Sequence, residues 1–107
     1  KIIYPTENHP DIARSYNNIS TIYQDIGKLD CALEYQQQSV NIFKIIYQTE
    51  NHLDIARSLV NMSLLYFTTN DNSNGWKMLK ESSNIIGNLI YQNILNSLFR
   101  MSLYILD

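Results

Sequence analysis

The sequence predicts an all-α chain of stacked, antiparallel helical hairpins, and three observations carry that reading. Lys1–Tyr16, KIIYPTENHPDIARSY, returns as Lys44–Leu59, KIIYQTENHLDIARSL, with 13 of 16 positions identical at an offset of 43 residues. Apolar residues in each copy recur at steps of three and four, the spacing of one helical face. Turn-forming residues interrupt the two copies at equivalent points, Gly27 and Asn70. Repetition at this period marks an array in which each unit buries its apolar face against its neighbours.

A first helix is expected from about Asp11, with Ile12, Tyr16, Ile19, Tyr23 and Ile26 on one stripe. Pro10 and Asp11 suit a first turn, where a missing N–H costs nothing and a carboxylate meets unpaired amides. Gly27 tolerates the left-handed conformation and so ends the helix. A second helix is expected over Leu29–Tyr47, carrying Leu29, Ala32, Leu33, Val40, Phe43 and Tyr47, and Thr49–His52 breaks it. The third, about Leu53–Thr68, has the stripe Ile55, Leu59, Met62 and Tyr66. Thr69–Asn74 is the most turn-like segment, with Asn70 a permissible left-handed residue where the first copy has glycine.

A fourth helix is expected from Ser73–Gly75 to Tyr91, with Leu79, Ile86 and Ile90 inward and Lys77 facing Glu81 at i,i+4. A fifth follows in a different register. Asn93–Ile105 matches Asp54–Tyr66 at an offset of 39, aligning Ile94, Ser97, Leu98, Met101, Ser102 and Leu103 with Ile55, Ser58, Leu59, Met62, Ser63 and Leu64. The chain therefore divides into repeat one (9–51), repeat two (52–91) and the first helix of a truncated third repeat (92–107). Residues 1–8 read as the tail of a preceding helix and its loop. Both ends look cut, so terminal apolar stripes that neighbours normally cover are open to self-association. Small residues (Ser20, Ser63, Ala32, Gly75) at matched positions let helix backbones approach closely.

Bulk properties bound the function. At 107 residues, with 45% apolar composition, the chain is one small domain or part of a larger one. A net charge of -2, from 8 basic and 10 acidic residues, makes no field for nucleic-acid or membrane attraction. The lone Cys31 excludes an internal disulfide and favours a reducing, cytoplasmic setting. No apolar run approaches the roughly 18 residues of a membrane span, and no leader is visible.

The segment His9-Pro10-Asp11-Ile12-Ala13-Arg14-Ser15-Tyr16-Asn17-Asn18-Ile19-Ser20-Thr21-Ile22-Tyr23, followed by Gly27-Lys28-Leu29-Asp30-Cys31-Ala32-Leu33-Glu34-Tyr35, resembles a tetratricopeptide repeat (TPR) of the kinesin light chain type. That subclass has units near 42 residues rather than 34, and here Thr49 adds one. Departures are Gln36 in place of an aromatic, Ser39 and Ser82 in place of alanine, and Asn70 in place of the turn glycine. They predict a locally looser array.

The resemblance implies a right-handed superhelical α-solenoid, a protein-binding scaffold in which the first helix of each pair lines a concave groove for a peptide or partner domain. Carried over, the groove residues are Arg14, Asn17, Asn18, Thr21 and Gln24, then Arg57, Val60, Asn61, Leu64 and Phe67. A carboxamide donates and accepts at once, which suits a main-chain ligand, and each arginine can fork onto a carboxylate. Thr21 and Leu64 stand where carboxylate-clamping repeats have asparagine, so a mixed apolar and polar peptide fits better. The alternative role is a structural or regulatory spacer within a larger multidomain protein.

No chemistry competes with binding. His9 and His52 are one repeat apart and lack companions at metal-ligand spacing. No phosphate loop, nucleophile elbow or metalloprotease helix is present. Glu7 with Glu50 and Asp11 with Asp54 follow from repetition and helix capping. The sequence thus predicts no enzyme, metal or cofactor.

Overall fold

The computed structural model describes the backbone of residues 9–106 and the side chains of residues 9–103. These form four helices: α1 (Pro10–Asp25), α2 (Leu29–Tyr47), α3 (Leu53–Thr68) and α4 (Asn72–Leu106). The expected tail of a preceding helix at Lys1–Tyr4 lies outside the described residues. Helices α1 and α2 pack as one antiparallel hairpin and α3 and α4 as the next, with α2 against α3 joining them.

The repeat is visible in the caps. His9 and His52, in extended backbone, each accept a hydrogen bond at Nδ1 from the amide two residues on, Asp11 and Asp54, at 3.0 Å. Histidine therefore caps both first helices, and the aspartates lie in the first turns, where carboxylates meet the positive end of the dipole. Gly27 (φ 82°) and Asn70 (φ 63°) are left-handed. The amides of Lys28 and Asp71 reach the carbonyls of Tyr23 and Tyr66 at 2.8 and 2.9 Å, while Gly27 and Asn70 donate to Gln24 and Phe67. Both turns are the same Schellman closure. A third left-handed residue, Gln48 (φ 51°), ends α2.

The core runs between the hairpins. Ala13, Val40, Phe43, Ile55, Ala56, Leu59 and Met62 are buried together with Ile85. Ser39 Oγ donates to the Ala13 carbonyl at 2.7 Å, and Ser82 Oγ to the Ala56 carbonyl at 2.9 Å, one repeat on. Both serines are buried. Far from loosening the array, these departures from alanine tie second helix to first. Gln36, buried in the expected aromatic position, donates its amide to Asn17. The Tyr16, Tyr35 and Tyr23 rings pack in sequence beside this pair, at 5.6 and 5.4 Å.

Three expectations for the last third of the chain need correction. A single helix, α4, replaces the expected fourth and fifth. Residues 88–99 hold no glycine or proline, so nothing stops the helix at Tyr91. The buried isoleucine is Ile85 rather than Ile86 or Ile90, which are 39% and 54% exposed. Ile85 shares the Met78–Ser82 face that meets α3, and Ile86 lies one helical step off it. Lastly, Glu81 Oε1 lies 3.5 Å from Lys44 of α2, joining the hairpins across repeats instead of pairing with Lys77.

Candidate functional site

Helices α1 and α3 carry all ten residues expected to contact a ligand. Equivalent positions pair at the 43-residue offset as Arg14 with Arg57, Asn17 with Val60, Asn18 with Asn61, Thr21 with Leu64, and Gln24 with Phe67. Arg14, Asn18, Thr21, Gln24, Arg57, Asn61 and Leu64 are exposed, whereas Asn17, Val60 and Phe67 are half-buried. Asn17 is committed: its side-chain carbonyl accepts from Gln36 of α2. Thr21 donates to the Asn17 main-chain carbonyl. Asn18 and Asn61 form no side-chain hydrogen bond among the described residues, which leaves both carboxamides to solvent.

The arginines are oriented from the first turn of their own helices. Arg14 Nη1 lies 3.1 Å from Asp11, and Arg57 Nη1 lies 3.6 Å from Asp54. Asp54 is the better embedded carboxylate, for it also accepts the Tyr47 hydroxyl at 2.7 Å. That hydrogen bond, with burial and the carboxylate charge behind it, pushes the Tyr47 phenol above its ordinary 10.0. Arg14 acts on the phenol in the opposite sense. Tyr47 also stacks on the His52 cap, with centroids 3.5 Å apart and planes 5° from parallel. One cluster thus fixes the loop between repeats and aims Arg57.

The other end of α3 is apolar. Leu64 is 55% exposed, and the Phe67 ring meets Trp76 of α4 edge-on at 5.3 Å. Phe67 lies so close over Gly75 that a β-carbon there would fall 2.8 Å from the ring. Trp76 is absent from the residues read off the sequence, although it is the chain's one tryptophan and is 66% exposed. A lone tryptophan beside a glycine in a helix's first turn was the available signal. A shallow crevice between the two turns, lined by Gly27–Cys31 and Thr69, also lies outside the sequence expectation.

Among the described residues no group of three His, Cys, Asp or Glu side chains converges as metal ligands, and no helix is long and apolar enough to cross a membrane. The ten residues lie on the surface of a helical-repeat scaffold, a fold typical of protein-protein interaction modules. A family model described as Tetratricopeptide repeat matches residues 11–74, and the chain belongs to that family. The match stops as α4 begins. Neither curated proteins nor solved structures give a match.

Proposed function

We infer that this chain is a protein-interaction module, of kinesin light chain-like type and cytoplasmic, that holds an extended peptide or a segment of a partner domain along α1 and α3. The carrying observation is the recurrence of Asn18 and Asn61 at equivalent, exposed positions with uncommitted carboxamides. An extended ligand needs its main-chain N–H and C=O paired, and a ladder of amides supplies both. Arg14 and Arg57 add carboxylate recognition, and Val60, Leu64 and Phe67, extended by Trp76, accept apolar side chains. Thr21 and Gln24 complete the wall, with Asn17 holding it to α2. Nucleic acid and membrane are not partners in this reading.

The units are repeat one (9–51), repeat two (52–91) and a sequence equivalent of a third first helix (92–107), whose exposed terminal faces associate. A peptide-array screen tests the wall. Replacing Asn18 and Asn61 with alanine should weaken captured peptides about tenfold or more, ~1.4 kcal/mol for each factor of ten. Unchanged capture by this variant and by one lacking Arg14 and Arg57 would reject the wall as the binding surface.

A further inference from the structure

We propose that the C-terminal half of α4 docks on a second copy of this chain, in the place a following first helix would occupy, so that two copies exchange helices. This rests on the reading that the array's exposed faces associate, and adds the mode. The evidence is one sequence in two environments. Ile55, Ser58, Leu59 and Met62 of α3 are at most 2% exposed, covered by α2 and α4. Their equivalents at the 39-residue offset include Ile94, Leu98 and Met101, which are 51%, 55% and 58% exposed. A helix face written for burial stands uncovered. A shallow apolar concavity lined by Ile90, Asn93, Ile94, Ser97 and Leu98 runs along it.

The first half of α4 cannot fold back to cover it. Five residues, Gln48–His52, connect α2 to α3. Where the offset falls from 43 to 39, four of these are lost, and only Tyr91 separates the equivalents of Tyr47 and Leu53, which are Ile90 and Gln92. Antiparallel helices need about two to eight connecting residues, so one cannot reverse the chain. The helix continues instead, as α4 does. A connector too short to close at home favours exchange with an identical copy.

The receiving surface continues an interface already in the fold. The Phe43 and Tyr47 positions of α2, which pack into the core beside α3, recur as Ile86 and Ile90 on α4, 39% and 54% exposed. The Tyr47–Asp54 contact sets the antiparallel register of α2 against α3. Carried one repeat on, that register brings Ile90 of one copy beside Asn93 and Ile94 of the other, and the reverse. Such reciprocity is what a two-fold axis requires, here near Gln92. Arg100 is the only charge in residues 90–103, and helical spacing turns it about 120° round the helix from Ile94.

Sedimentation equilibrium on the whole chain tests this, using wild type, Ile94→Glu, and a variant with Thr49–His52 duplicated between Tyr91 and Gln92 to restore the connector. Wild type should weigh twice 12.5 kDa. Both variants should weigh half as much as wild type; far-UV circular dichroism should be unchanged in Ile94→Glu, which falls on exposed helix, and should lose only the few helical residues of the new connector in the insertion variant. A wild-type monomer would overturn both the exchange and the association of array faces. A dimer that persists in either variant would overturn the exchange while leaving face-to-face association standing.

Discussion

Replacing Gly75 with alanine places a methyl carbon 2.8–2.9 Å from three carbons of the Phe67 ring, against the 3.5–4.0 Å of a comfortable contact. Two effects of opposite sign then compete. Alanine in place of glycine favours a helix by up to about 1 kcal/mol, somewhat less in a first turn such as that of α4. Overpacking costs about 1–3 kcal/mol. The ring is half-buried and can swing outward, but doing so gives up its edge contact with Trp76. The net expectation is a loss of about 1 kcal/mol, or a fall of about 4–8 °C in Tm for a chain of this size. In a Phe67→Ala background the clash is gone, so Gly75→Ala should stabilise by close to the helix-propensity gain. The four proteins make a double-mutant cycle, read by urea unfolding, with an expected coupling of about 2 kcal/mol. Additivity within about 0.5 kcal/mol would show that the ring does not rest on the glycine, and would refute the reasoning.

Three further outcomes follow from the same contacts. His52→Ala removes the α3 cap and the Tyr47 stack and should cost about 1–2 kcal/mol in urea unfolding, while His52→Asn, which keeps an acceptor, should recover much of that loss. Ser58 is buried with its hydroxyl unpaired, so Ser58→Ala should stabilise by about 1 kcal/mol; Ser82→Ala, which forfeits the bond to Ala56, should not stabilise, and equal effects at the two sites would contradict the hydrogen-bond assignment. The Tyr47 phenol ionises later folded than unfolded, so its contribution is intact below pH 10.0 and fades as pH rises through the raised value; alkaline titration of stability should therefore be flatter in Tyr47→Phe than in wild type.

Most of the first three helices was legible because local signals agreed there. Their stripes are bounded by residues with one conformational purpose, Gly27 and Asn70 in left-handed turns and Pro10 at a first turn, and the observed limits of α2 and α3 match the expected ones. What escaped depends on contacts between distant residues. Ser39 and Ser82 looked like loosening substitutions, because nothing local shows that each hydroxyl faces a carbonyl 26 residues away. Asn17 and Gln36 are likewise paired across the hairpin, which binds into the fold an amide read as a ligand contact. Ile85 and Ile86 both fit an apolar stripe, and only the meeting with α3 separates them. The match of 93–105 to α3 was real at the level of sequence, yet the shortened connector overrode it in the backbone.

The central claim is that matched side chains on α1 and α3 form one recognition wall. Amide chemical-shift mapping, with a peptide taken from the array, tests it most directly. Shifts should concentrate at Asn18 and Thr21 on α1 and at Asn61, Leu64 and Phe67 on α3, reaching the Trp76 indole N–H. Saturating changes confined to α2 and the first half of α4, or to the Gly27–Cys31 crevice, would contradict it.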